Sequence, residues 1–299
     1  MKGFGRLALL GVPGWWLALF VLAPLAIVGK ISLSEPATAR PPYRPVLPGS
    51  LDPEAWRDAL GQFGVDTFRT LVTDSLYGEA LLGSLGYAAA ATAIVVVLGY
   101  GMALAVARAP ARWRPALIAL VVLPFWTSFL VRVYAWIAIL KQDGWLNQLL
   151  LAVGLVEAPV ALLNTPVAIL IGLVYAYLPF MVLPVYATLE RQDPALLEAA
   201  ADLGAGPLRR FWTVTVPLSA PGVAAGALLC FIPMVGEFVV PELLGGSDTL
   251  MLGRVLWSEF FSNRNWPLAA AVAVAMLLVL ALPIVVLREA EARRQEAAR

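Results

Sequence analysis

Long apolar segments recur along this chain, and they constrain its fold more than any other feature. The runs long enough to cross a bilayer lie at about residues 7–29, 82–107, 115–140, 166–189, 217–240 and 267–287. A transmembrane helix needs about 20 mostly apolar residues, because its backbone must satisfy its own hydrogen bonds in hydrocarbon. Hydrophobic residues make up 61% of the chain and charged residues only 14%, unlike a soluble domain. We therefore predict an all-α polytopic membrane protein with six transmembrane helices.

Composition also excludes several classes of function. The formal net charge is +1, which gives no basis for nucleic-acid binding. The chain has no histidine, so it lacks the commonest metal ligand and the commonest general base. Its single cysteine, Cys230, lies in an apolar run and is expected to be a small buried hydrophobe. We predict no catalytic residues and no metal site.

The predicted organisation follows the apolar runs. Residues 1–29 form the first transmembrane helix, although a basic start and an apolar run also occur in signal peptides. Residues 30–81 are rich in proline and form an external loop, and residues 82–287 form a five-helix core. Residues 288–299 are a charged tail.

The basic residues predict the orientation. With the N-terminus inside, the residues on the cytoplasmic side are Lys2, Arg6, Arg108, Arg112, Arg114, Arg191, Arg209, Arg210, Arg288, Arg293, Arg294 and Arg299. They are more than half of all Lys and Arg, and short cytoplasmic loops carry such an excess. Six spans then place both termini and the polar segment near residue 200 in the cytoplasm.

That polar segment, residues 193–222, interrupts two apolar runs. Asp193 and Pro194 predict a capped helix start, and Gly204 predicts a helix stop. Pro207 begins a second short helix, and Pro217 is expected to mark the return to the membrane. A hairpin of this size cannot form its own core, so its apolar face must be buried against something else. The alternative to such a docking element is an ordinary amphipathic loop on the membrane surface.

The hairpin resembles the EAA loop of the permease subunits of ABC importers. The resemblance is carried by Glu198, Ala199, Ala200, Gly204 and Pro217, at that family's spacing. It implies a coupling loop over residues 190–217 that lies in a cleft of a cytoplasmic ATPase subunit. The chain has no phosphate-cradling loop of its own, so ATP and Mg would be held by that partner and this chain would not be an enzyme.

Two further stretches are similar to the permeases of polyamine importers, most of all to the putrescine type. They are FWTSFLVRVYAWIAIL at residues 125–140 and GEFVVPELLGGSDTLMLGRVLWSEFFSNRNWP at residues 236–267. The resemblance implies the type I ABC importer permease fold in a bacterial inner membrane, with residues 30–81 as a periplasmic loop. It also implies a second, different permease subunit, two copies of the ATPase and a periplasmic polyamine-binding protein.

A polyamine path should offer carboxylates and aromatic faces to ammonium groups. Glu237, at membrane depth, is the first candidate, and Glu242 follows it. Trp126, Tyr134 and Tyr177 are aromatic candidates. Alternatively, Glu237 reaches the external interface or pairs with a basic residue, Arg132 or Arg254, and the aromatic residues form an interface belt.

Rival functions differ in what else they require. A permease for an anion, iron or an opine-like solute would share the hairpin and differ only near Glu237 and residues 125–140. An ion-coupled secondary transporter would need charged groups in several spans, whereas only Arg132 and Glu237 lie inside the apolar runs. An intramembrane enzyme would need a histidine, a cysteine pair or an acid dyad, and we find none of these in the apolar runs.

Overall fold

The computed structural model describes residues 11–49 and 52–297, with the side chains of 283–284 and 286–297 left aside. Its helices, in order, are α1 (Gly11–Ser32), α2 (Pro53–Gly61), α3 (Asp66–Thr73), α4 (Ser75–Arg108), α5 (Arg114–Val122), α6 (Phe129–Leu140), α7 (Trp145–Ala152), α8 (Pro166–Glu190), α9 (Pro194–Asp202), α10 (Pro207–Val235), α11 (Val239–Leu244), α12 (Leu252–Trp257) and α13 (Trp266–Ala297). The strands β1 (Glu35–Pro36) and β2 (Tyr43–Arg44) form one antiparallel pair. The predicted cytoplasmic residues Lys2, Arg6 and Arg299 lie outside the described residues.

Several of these helices are long and apolar enough to cross a membrane. Among the described residues they are α1, α4, α8 and α10, and a fifth span exists if α5 and α6 are counted together. The apolar part of α13, Trp266–Leu282, is shorter than these spans. A helical, multi-span membrane protein is therefore confirmed, while six spans stay a prediction.

The predicted third span, residues 115–140, is not one straight helix. It is broken after a 3-10 turn at Leu123–Trp126, and the segments Arg114–Trp126 and Phe129–Ala152 on either side of the break are bent by 89° relative to each other. Thr127 and Ser128 are extended, and the Thr127 hydroxyl donates to Pro124 O at 2.7 Å. Composition did not predict this break, because the apolar run is continuous here, whereas a Thr hydroxyl can hydrogen-bond locally to the backbone and compete with the helix.

The chain divides into two compact units, residues 1–79 with 255–299 and residues 80–254. In the first unit, α1 and α3 pack against α13. The ammonium of Lys30, near the end of α1, donates to Pro45 O at 2.7 Å and lies 4.3 Å from the centre of the Tyr43 ring. This side chain therefore ties α1 to the β1–β2 hairpin.

In the second unit, α8 and α10 form the main helix pair. They approach closely at Gly222, where an added Cβ would lie 2.6 Å from Pro184 O. Small residues at such positions allow helix backbones to pack tightly in a membrane. Cys230 is fully buried beside α8, and its thiol donates to Tyr177 O at 3.4 Å, which confirms its predicted place in the core.

Candidate functional site

The polar hairpin begins with α9, and local hydrogen bonds close both ends of this helix. Asp193 caps the start, because its carboxylate accepts a hydrogen bond from Ala195 N at 3.0 Å. Beyond the other end, Gly204 has a φ of +79° and Ala205 N donates to Ala200 O at 3.0 Å. This is the Schellman pattern of a C-cap. The predicted cap and glycine stop are confirmed.

Helix α10 carries the second arm of the hairpin directly into the membrane-spanning segment. A π-helical turn occupies Phe211–Thr215, and Val216 N donates to Phe211 O. This wide turn directly precedes Pro217, which lacks an N–H and whose ring crowds the preceding turn of a regular α-helix. The second arm begins at Pro207 as predicted, but it is not a separate short helix, because the π-turn lets one helix run from Pro207 through Pro217 to Val235.

The hairpin leaves both charge and apolar area uncovered. Glu198 and Ala199 are exposed, whereas Ala200 is partly buried. Leu203 and Leu208, near the tip, are 88% and 72% exposed. Glu198 makes no ion pair with any described residue. Exposed leucines beside an unpaired carboxylate are typical of a surface that binds another protein.

The base of the hairpin is attached firmly to the membrane helices. The Gln192 side-chain amide donates to Thr215 O at 3.0 Å and so joins the two arms. Phe211 packs edge-on against Tyr100 of α4, with ring centres 5.8 Å apart. The Tyr100 hydroxyl is 2.9 Å from the hydroxyl of Ser219 in α10. Sequence reasoning missed these residues, since their roles depend on contacts between distant segments.

Glu237 lies in the break between α10 and α11. Its Oε2 accepts a hydrogen bond from the Tyr177 hydroxyl at 2.8 Å, and its Oε1 accepts one from Val239 N at 3.0 Å. Both donors are neutral, and no described residue forms an ion pair with this carboxylate. The structure thus brings together two predicted pathway residues, Glu237 and Tyr177, and leaves the negative charge unneutralised.

Glu242, unlike Glu237, forms an ion pair within the described part of the chain. Its Oε2 lies 2.7 Å from Nε of Arg254, and Nη1 of the same guanidinium donates to Gly246 O at 2.9 Å. Arg254 was considered as a partner for Glu237, but the structure pairs it with Glu242. The charge of Glu242 is therefore balanced within the chain.

The other aromatic candidates lie apart from this carboxylate. Trp126, at the bend between α5 and α6, is 84% exposed, and Tyr134 is 58% exposed. Neither side chain makes a hydrogen bond or ring contact with a described residue. Nothing in the second unit therefore brings either side chain to the Glu237 carboxylate.

Arg132 is held by aromatic rings and not by an acid. Its guanidinium carbon lies 4.9 Å from the Phe125 ring centre and 5.6 Å from that of Phe129. Nε and Nη1 are buried without a hydrogen-bond partner in the described part of the chain. Phe125 packs edge-on against Phe180, whose ring centre is 6.0 Å from that of Tyr177. A row of rings thus joins Arg132 to the carboxylate site, and periodicity alone did not single out Phe180.

Among the described residues, no group of three or more His, Cys, Asp or Glu is arranged to hold a metal ion. The site therefore consists of a carboxylate with neutral hydrogen-bond donors, adjacent aromatic rings and a separate polar hairpin. A carboxylate beside aromatic rings is an environment that favours a cation.

Comparisons with known proteins agree with these features. The family described as binding-protein-dependent transport system inner membrane component matches residues 7–295. The spermidine/putrescine transport system permease protein PotB of Haemophilus influenzae is 44% identical over 217 residues, which are 73% of this chain and 76% of that protein. PotB of Escherichia coli K12 is 42% identical over 224 residues, 75% of this chain and 81% of that protein.

A solved structure shows the same fold. A bacterial ABC transporter involved in the import of the acidic polysaccharide alginate aligns with a TM-score of 0.71, over 98% of this chain and 96% of the solved chain. Its sequence identity is 16%, so this likeness concerns the fold alone. The expected type I ABC importer permease fold is confirmed, as is the resemblance to polyamine permeases. The chain is thus a multi-pass inner-membrane protein that belongs to the family of binding-protein-dependent transport system inner membrane components.

Proposed function

We propose that this chain is the transmembrane permease subunit of an ATP-driven importer that moves a polyamine, putrescine or spermidine, from the periplasm to the cytoplasm. The relatives that are 42–44% identical over about three quarters of the chain are spermidine/putrescine permeases, which supports the substrate class. Glu237 supports it chemically, because an unneutralised carboxylate beside aromatic rings suits an ammonium group.

The hairpin is the observation that carries the mechanism. Its exposed leucines and the unpaired Glu198 offer a protein partner both apolar area and one directed charge. Since α10 runs unbroken from the hairpin into the span, a displacement of the hairpin would move the helix that ends beside Glu237. We infer that a cytoplasmic ATPase subunit, which holds ATP and Mg, binds this hairpin and drives the transport step.

The remaining partners follow from the same assignment. Two ATPase copies need two hairpins, so a second permease subunit would complete the complex with this chain. A periplasmic polyamine-binding protein would deliver the substrate; the alginate importer has been solved together with a periplasmic protein. We propose six spans, α1, α4, the α5–α6 pair, α8, α10 and α13, with both termini and the hairpin in the cytoplasm.

Charge reversal on the hairpin tests the coupling. In the assembled complex, Glu198→Lys should abolish the ATP hydrolysis that the polyamine-loaded binding protein stimulates. The substitution replaces an anion by a cation at the contact with the ATPase and so reverses the charge complementarity there. Glu157→Lys is the matched control, since Glu157 is also exposed but lies in the loop after α7. Putrescine and spermidine are compared with the unloaded binding protein.

The control variant should hydrolyse ATP at the wild-type rate. Equal stimulation of the Glu198→Lys complex and of the wild type would contradict the coupling role. Stimulation by a loaded binding protein for another solute, but not by either polyamine, would instead contradict the substrate class.

A further inference from the structure

A cleft of about 290 Å³ lies at the base of the hairpin, and neither Leu203 nor Leu208 lines it. Four helix ends meet there: the end of α4, the start of α5, the end of α8 and the start of α9. One water occupies about 30 Å³ of liquid, so the cleft is large enough for a polyatomic group. Neither the proposed substrate path nor the outward face of the hairpin uses it.

The cleft is lined by more positive than negative charge. Arg108, the last residue of α4, is exposed and its side chain makes no ion pair or hydrogen bond with a described residue. Arg114, the first residue of α5, donates from Nε to Ala109 O at 3.0 Å. Its Nη1 is 3.9 Å from Oε1 of Glu190, which already accepts a shorter bond of 2.6 Å from the Tyr186 hydroxyl. Both guanidinium groups can therefore bind a further anion.

Apolar side chains also line the cleft, and one of them lies further into the span. Leu104 lies four residues, about one helical turn, before Arg108, hence about 6 Å further along α4 into the span. Leu189 of α8 and Leu197 of α9 complete this apolar part. The cleft thus joins cationic groups at the end of a transmembrane helix to an apolar side chain one turn further into the same helix.

We propose that this cleft binds an anionic phospholipid of the adjacent leaflet, with its phosphate held by Arg108 and Arg114. Guanidinium groups bind phosphate through paired hydrogen bonds, and basic pockets between transmembrane helices bind anionic headgroups. The upper part of an acyl chain lies against Leu104. A soluble protein segment fits less well, because it would have to place polar backbone beside Leu104 within the span.

Bound lipid would also contact the hairpin. Leu197 lies in α9, and Gln192, which also lines the cleft, bonds to Thr215 O in the opposite arm. The lipid therefore connects the α4–α5 turn with both arms of the hairpin. This inference does not depend on which solute the importer carries.

Lipid binding is measured on the assembled complex in nanodiscs of phosphatidylcholine with or without phosphatidylglycerol. Native mass spectrometry counts the phosphatidylglycerol molecules retained after release into detergent. Arg108→Gln should weaken retention roughly fivefold, as expected for the loss of one basic residue near an anionic lipid. Arg112→Gln is the matched control: it removes the same charge from the same turn, but Arg112 lies over Trp113 and does not line the cleft. It should leave retention unchanged.

Four results would overturn the proposal. Equal losses in the two variants would mean general attraction to a basic surface. Retention of phosphatidylglycerol no greater than that of phosphatidylcholine would mean that the cleft does not select an anionic headgroup. If an Arg108→Cys thiol is protected from a thiol reagent only when the ATPase is present, whatever the lipid, the occupant is a protein. If inorganic phosphate alone displaces the retained phosphatidylglycerol, the occupant is a free anion.

Discussion

Two glutamates five residues apart have opposite electrostatic roles in this structure. Glu237 is bound only by a hydroxyl and a backbone N–H, whereas Glu242 faces a guanidinium at 2.7 Å. The Glu242 pair is partly exposed, so it contributes at most about 1 kcal/mol to stability. Glu237 carries a charge that the described chain does not balance, and we therefore place the ammonium contact there.

Glu237→Gln should reduce polyamine uptake at least tenfold. Glutamine keeps the shape, and its amide can still bond to Tyr177 and Val239, but the charge that meets the ammonium is lost. Charge-assisted hydrogen bonds contribute roughly 1.5–3 kcal/mol, and about 1.4 kcal/mol corresponds to a factor of ten in rate. Initial uptake of labelled putrescine and spermidine in proteoliposomes measures the effect.

Glu242→Gln is the control for this experiment, since it makes the same chemical change beside Arg254. It should lower uptake much less than Glu237→Gln. The loss of uptake in Tyr177→Phe should fall between those of the two glutamate variants, because Val239 N still donates to the Glu237 carboxylate after the hydroxyl is removed. Unchanged uptake in Glu237→Gln would make Glu237 a structural cap of α11 and would remove it from the substrate path.

At the scale of the elements, helix ends fixed by neighbouring residues were predictable from the sequence, whereas contacts between distant segments and the adjustment of a helix to proline were not. Asp193 and Gly204 close α9 by contacts within a few residues, so their spacing was sufficient. The π-turn before Pro217 could not be predicted from the sequence, because it forms only when a continuous helix accommodates the proline. The pairing of Arg254 with Glu242 and not with Glu237 depends on how α11 and α12 fold back, which sequence distance does not specify.

Gly204→Val should uncouple the hairpin, whereas Gly204→Asn should be tolerated. An added Cβ at Gly204 would meet nothing within 4 Å, so its φ of +79° is the constraint and space is not. A left-handed backbone costs a side-chain-bearing residue about 1–2 kcal/mol, but asparagine adopts it far more readily than a β-branched residue. Substrate-stimulated ATP hydrolysis, normalised to complex yield, measures the difference.

Hydrogen exchange at the amides of α9 checks the cause. Valine should speed exchange at the end of this helix, since the bond from Ala205 N to Ala200 O depends on the Gly204 conformation. If valine and asparagine impair hydrolysis equally, the side chain at this position disturbs the ATPase interface directly and the cap argument does not apply.

At the scale of the whole molecule, the broken α5–α6 pair decides the side of the membrane on which the hairpin lies. If the pair crosses the bilayer despite its 89° bend, α8 returns the chain to the cytoplasm and the hairpin can meet an ATPase. If the pair enters and leaves on one side, every later segment changes sides. The positive charge of the Arg108–Arg114 turn favours a crossing, because Arg209 and Arg210 then share its side.

Single cysteines test this topology after the buried Cys230 is replaced by serine. Ala158→Cys should react with an impermeant thiol reagent in intact cells, whereas Ala111→Cys and Gly206→Cys should react only after permeabilisation. All three native positions are exposed, so protection would reflect the membrane and not burial within the chain. The opposite pattern, with Ala158→Cys protected and Gly206→Cys labelled from outside, would mean that α5 and α6 form a re-entrant pair. It would also place the hairpin beyond the reach of a cytoplasmic ATPase.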